Sequence, residues 1–273
     1  MNVDPLRSYP VRPFARARWP VSVRPAVETA WQWHESLWQE SLTSPPEIFL
    51  AAHDAFIAGH PSALIPEEHY RAVESVIQEH NIPRTLFASQ LLGASRLAPP
   101  VRYKDWPELE EFLRLMIYPQ AGILAHLAGV YRTWQQEMVH ELAQALFLTG
   151  RLIHFRRDIA SDRLFFPLAD LASSGLSLSD LRDRSLTEAK QKFFWQWSVR
   201  ARLALSMALP LVHELPRRYR STFKVWVIGT LEVLREIERR KFDLWSIEPG
   251  LSARQWIHIH LQALAGRTTF RTH

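Results

Sequence analysis

Apolar residues recur at helical spacing along almost the whole chain. Phe49, Ala52, His53 and Phe56 share one face, and Leu109, Phe112, Leu113 and Met116 share another. Phe193, Trp197 and Leu203 make a third stripe, and Val225, Ile228, Leu231, Leu234 and Ile237 a fourth. Start signals precede three of these stripes. Ser44-Pro45-Pro46-Glu47, Asp105-Trp106-Pro107-Glu108 and Ser185-Leu186-Thr187-Glu188 each set a capping side chain three residues before a Glu, the first two with Pro in the first turn. Period-two alternation between turn dipeptides is missing, so strands are not expected. Breakers at Pro45, Pro66, Pro83, Pro99-Pro100, Pro167, Pro216 and Pro249-Gly250 divide the chain into about nine or ten helices with short links. No linker is long or polar enough to mark a domain boundary, so the pattern predicts one all-α domain.

Composition narrows the chemistry. The 273 residues are 47% apolar and 22% charged, which excludes a disordered chain, and the lack of Cys excludes disulfides, thiolate metal sites, iron–sulfur clusters and cysteine nucleophiles. No apolar run approaches the roughly 20 residues needed to span a bilayer, and no N-terminal apolar stretch resembles a signal peptide. A cytoplasmic protein is the expectation, with no nucleic-acid partner. Lys and Arg number 33 against 28 acids, a net +5 that favours anionic partners only weakly. Residues 1–24 carry Arg7, Arg12, Arg16, Arg18 and Arg24 against Asp4 alone, and residues 1–18 make a basic arm, read either as a strap over the helical body or as a contact with an acidic membrane surface. Neither a Gly-x-Ser-x-Gly elbow nor a Gly-rich phosphate loop occurs. His258 and His260 form a His-x-His, but on a helix the two rings point about 200° apart. Eleven Trp, with clusters at Trp31-Gln32-Trp33 and Phe193 to Trp197, suggest broad apolar surfaces covered by large rings.

The stretch Leu142 to Leu171, LAQALFLTGRLIHFRRDIASDRLFFPLADL, carries a more specific rhythm. It resembles the second aspartate-rich helix of the squalene/phytoene synthase family, Gln-Leu-x-Asn-(Ile/Phe)-x-x-Asp-x-x-x-Asp followed by Gly-Arg-x-Tyr-Leu-Pro. Phe147 stands at the Gln, Gly150 at the Asn, His154 at the first Asp and Asp158 at the second, with Arg163, Phe165, Phe166 and Pro167 following. Trp19-Pro20 through Arg24-Pro25-Ala26-Val27 is similar to the approach to the family's first aspartate helix. Leu113 to Gly122, with Pro119, resembles its kinked helix, in the hydroxysqualene synthase branch above all. Phe242-Asp243-Leu244-Trp245 and Leu251-Ser252 resemble its late Tyr-Asp-Val-Phe … Leu-Ser segment. The resemblance implies a single-domain isoprenoid-synthase-type helical bundle over residues 19–265 around a central apolar cavity, with residues 266–273 as a tail.

It also implies head-to-head joining of prenyl diphosphates, in which Mg²⁺ ions held by carboxylates neutralise the leaving diphosphate. The carboxylates are mostly missing here. Counting from Arg24, the first motif lands on Trp38, Gln39 and Leu42, and in the second His154 replaces one acid while Asp158 remains. Of the diphosphate-gripping residues, Arg163 and Arg24 persist. Trp31 and Trp38 fall on the cavity-lining helix, with Phe147 and Gly150 opposite. The expectation is a pseudoenzyme without cofactor, retaining an isoprenoid or other long apolar ligand or serving a protein partner. Two rivals stay open. One is a divergent prenyltransferase, or a terpene-diphosphate lyase or phosphatase, using His154, Asp158, Arg163 and Glu35; its metal would be Mg²⁺, or Zn²⁺ or Mn²⁺ at a His154–Asp158 site. The other is a scaffold whose centre is filled by Trp31, Trp38 and Phe147.

Overall fold

The apolar stripes become helices that wrap around one of their own number. The structure, a computed structural model, describes residues 19–246 and 248–264. The basic arm at 1–18 and the tail at 266–273 lie outside the described residues. The long helices are α1 (Arg24–Glu40), α2 (Pro46–Ile57), α3 (Glu67–His80), α4 (Arg84–Ala94), α5 (Trp106–Leu127) and α6 (Thr133–Ile153). Short helices α7 (Phe155–Ala160), α8 (Leu168–Ser173) and α9 (Leu178–Arg182) follow, then α10 (Glu188–Ala208), α11 (Leu211–Glu214), α12 (Arg217–Arg239) and α13 (Ala253–Leu264). The count exceeds the expected nine or ten because some breaks carry no Pro: at His154 (φ −93°, ψ 9°) the backbone leaves the helix and separates α6 from α7.

Helix α6 occupies the centre, packed against α5, α10 and α12, while α1 lies across α3, α4 and α5. Its sequence explains the position, since from Leu142 to Ile153 only Gln144 escapes full burial. Helices α4 and α5 approach closely at Gly93, where a Cβ would stand 2.7 Å from the Met116 Cβ. Pro119 is accommodated inside α5, which continues past it to Leu127.

The start signals are met unevenly. Asp105 caps α5 by accepting from the Glu108 amide at 3.2 Å. Ser44 does not cap α2: Pro45 holds the N-cap position with no side-chain bond, and the Ser44 hydroxyl turns back to Glu40 at 3.4 Å. Thr187 rather than Ser185 caps α10, accepting from the Lys190 amide at 3.3 Å. Lys190 is buried and donates its ammonium to the Asp183 and Ser185 carbonyls, which holds Ser185 outside the helix.

Among the described residues there is no strand, only isolated bridges between Ser62 and Ile65 and between Val101 and Arg163. The second ties the link before α5 to the turn after α7, with Val101 donating to the Asp162 carbonyl and accepting from the Leu164 amide, both at 3.0 Å. Asp162 takes φ 55°, and this turn aims Arg163 inward. No described helix is long and apolar enough to cross a membrane.

Candidate functional site

The C-terminal end of α6, α7 and the turn after it place His154, Asp158 and Arg163 on one side of α1. Their partners differ from those expected of a metal site. Asp158 is held by Arg151, whose Nη1 donates to both carboxylate oxygens at 3.2 and 3.0 Å. The Arg151 side chain is almost wholly buried, and its guanidinium carbon lies 5.2 Å from the Trp38 ring, 5.2 Å from Phe147 and 4.8 Å from Phe165. A guanidinium suits such a box because it is planar, weakly hydrated and attracted to ring faces. Burial lifts the Asp158 carboxyl to about 6, while Arg151, Arg163 and Arg157 pull it the other way. At neutral pH it stays ionised.

Arg163 is buried behind this pair and donates from Nη2 to the Ser41 hydroxyl at 2.9 Å, just past the end of α1. Burial lowers its pKa to about 10, which leaves it cationic. His154 turns away from Asp158, its Nδ1 lying 3.0 Å from the Glu248 carboxylate. Burial depresses His154 to about 4, so the ring is neutral near pH 7 and Nδ1–H donates to Glu248. Burial alone would raise Glu248, but its bonds from His154 and Arg157 outweigh that and hold it at about 2. Arg24 is not part of the cluster. Its Nε donates to the Trp19 carbonyl at 2.7 Å, at the far end of the 17-residue α1 and so about 25 Å from Ser41.

Towards its C-terminal end, α1 presents a neutral relay. The Trp38 indole N–H donates to His34 Nε2 at 3.0 Å, so Nδ1 carries the ring proton and donates to Gln90 Oε1 at 2.7 Å. Burial lowers His34 to about 4, in keeping with that single neutral tautomer. Mg²⁺ takes oxygen ligands in near-octahedral geometry. The donors here do not fit it: the Asp158 oxygens already hold a guanidinium, and the Glu248 carboxylate is engaged by His154 and Arg157. His154, Asp158 and Glu35 are likewise not brought together, since no group of three His or acidic residues suited to a metal exists among the described residues.

Further along α1 and α6, away from Arg151, lies an apolar cavity of about 780 Å³ counted with its solvent-open part. Trp31 of α1, Leu124 of α5, Ala143 and Leu146 of α6, and Phe223 of α12 line it, with Trp19 also in the wall. Its lining includes none of Arg151, His154, Asp158 or Arg163. Trp31 is therefore a wall, whereas Trp38 and Phe147 belong to the box around Arg151. Gly150 is buried in α6, and its carbonyl accepts from the His154 amide at 2.9 Å.

The sequence reading passed over Arg151, Glu248, Ser41 and the His34–Gln90 pair. A signal for Arg151 was present: a lone charge inside the apolar run Leu146 to Ile153 has to find a buried partner.

The squalene/phytoene synthase family model matches residues 28–257. The chain belongs to the squalene/phytoene synthase family. A chloroplastic phytoene synthase of Narcissus pseudonarcissus is 28% identical over 155 residues, a match covering 52% of this chain and 35% of that protein. The matched part thus spans about a third of the curated relative. Among solved structures, the squalene synthase HpnC of Alicyclobacillus acidocaldarius superposes with a TM-score of 0.68 at 18% identity, covering 84% of this chain and 99% of that one. A dehydrosqualene synthase in complex with ligand gives 0.73 at 13% identity, covering 92% and 89%. YisP of Bacillus subtilis strain 168 gives 0.65 at 13%, covering 94% and 90%. These likenesses carry the fold: an all-α isoprenoid-synthase bundle. Within it, Asp158 is paired to Arg151.

Proposed function

We propose that this member of the family is a pseudoenzyme that holds an uncharged isoprenoid, or a molecule of similar shape, without ionising prenyl diphosphates. The observation that carries the reading is the Arg151–Asp158 pair inside the Trp38, Phe147 and Phe165 rings. A guanidinium bound to the carboxylate satisfies from within the charge that a metal would otherwise neutralise. A metal competing for Asp158 would leave that guanidinium buried without its carboxylate, at a cost of several kcal/mol. The cavity supports the second half of the reading. Its walls are apolar and aromatic, and no cation lines it to favour a diphosphate over an alcohol or hydrocarbon.

The test uses the purified chain with farnesyl or geranylgeranyl diphosphate and Mg²⁺, following diphosphate release, and in parallel follows tryptophan fluorescence on titration with farnesol. Saturable quenching by farnesol with no diphosphate release is the expected result. Release at about 1 s⁻¹, or within tenfold below it, overturns the reading.

A further inference from the structure

The outer face of α13 carries a surface that the cavity and the Arg151 centre do not explain. Trp256, Ile259 and Ala263 are buried on the side packed against α12. On the opposite side Ile257, Leu261 and Leu264 are 59%, 59% and 61% exposed. At 100° per residue they fall within about 60° of arc, with Arg254 and His258 next to them around the helix. Three aliphatic side chains aligned and open to water are a patch rather than scattered exposure.

Charge selects the occupant. Residues 249–273 contain Arg254, Arg267 and Arg271 and no acid. From 217 to 273, which includes the supporting helix α12, eleven Lys and Arg stand against five acids. That net +6 exceeds the +5 of the whole chain, so the remainder is slightly acidic and the positive charge is concentrated in this last part. A second copy meeting this face across a twofold axis would set like charges against each other. Three side chains also fall far short of the roughly 800 Å² per partner of a stable dimer. An anionic lipid surface meets both features: aliphatic side chains enter the acyl boundary while Arg254 stays with the headgroups.

We propose that α13 is a docking helix by which the protein sits on anionic membranes, Ile257, Leu261 and Leu264 inserted and Arg254 at the headgroups. The proposal is independent of what the cavity holds. Full-length protein is sedimented with phosphatidylcholine vesicles with and without phosphatidylglycerol, at low and physiological salt. Binding to the anionic vesicles is expected to be at least about tenfold tighter than to the neutral ones and to weaken with salt. Replacing Ile257, Leu261 and Leu264 together by Ser, all exposed and outside the core, is expected to cost at least about tenfold with an unchanged circular dichroism melt. Arg254→Glu, a second variant that leaves the apolar face intact, is expected to weaken anionic binding alone. Ala143→Phe, which fills the cavity, leaves vesicle binding unchanged, so failure here and failure of the ligand reading are told apart. No binding to anionic vesicles, equal binding by the triple variant, or a dimer in sedimentation velocity that the triple variant abolishes would each overturn the proposal.

Discussion

Arg151 and His34 show how single buried side chains settle their polar groups by internal hydrogen bonds. Arg151→Met leaves the Asp158 carboxylate in its place without the cation bonded to it, and removing one partner of a buried pair costs about 3 kcal/mol or more. The sign with pH is set by Asp158, whose folded pKa already stands at about 6 against 3.8 unfolded and rises further without the guanidinium. A raised carboxyl loses stability as pH climbs from its unfolded to its folded value. The deficit of the variant is therefore largest at neutral pH and shrinks towards pH 4, read from urea midpoints across that range. Adding Asp158→Leu removes the stranded charge and is expected to recover most of the loss. His34 has the opposite sign. Its pKa falls from 6.5 unfolded to about 4 folded, because a second ring proton would cost burial of a charge and the bond from Trp38. Its contribution is full above pH 6.5 and is lost as pH drops to 4, on the order of 3 kcal/mol. His34→Gln is expected to flatten stability against pH over that window, measured as the difference from the parent chain.

Elements were easier to foresee than their ends and their outward faces. The four stripes all form helices, yet the caps moved at α2 and α10, where Pro45 and the buried Lys190 decide the first turn. Leu203, aligned with the Phe193 and Trp197 stripe in sequence, is 63% exposed on α10, since a drift of 3.6 residues per turn over ten positions carries it out of the interface. How closely two helices approach is a matter of both partners. At Gly93 the backbone of α5 comes so near that a methyl would meet Met116 Cα and N at 3.0 Å, atoms that cannot rotate away. Gly93→Ala is expected to push α4 from α5 and cost about 1–3 kcal/mol in thermal or urea unfolding, although Ala favours the helix itself.

For the whole molecule, the bundle separates charge from cavity. The Arg151 box closes the end of α1 and α6 where Asp158 lies, and the apolar cavity persists farther along the same two helices. Ala143→Phe is expected to fill that cavity, abolish farnesol quenching and keep or raise the melting temperature, whereas Arg151→Met destabilises the chain with the cavity lining intact. In the parent chain, farnesol at a hundredfold its Kd is expected to add about 2.7 kcal/mol to stability, and Mg²⁺ with diphosphate to add nothing beyond its ionic strength, both read by calorimetry. The amino-acid sequence by itself determined the helices, because apolar spacing is local. It also determined which side chains stand at Trp38, His154 and Asp158, because identity at a position needs no neighbours. Only the tertiary structure decided their partners. Pairing Arg151 with Asp158, Arg163 with Ser41 and His154 with Glu248 joins α1, α6, α7 and the chain after α12 through contacts up to 122 residues apart. No periodicity records such pairings: a buried charge accepts any partner of the right sign that the fold delivers.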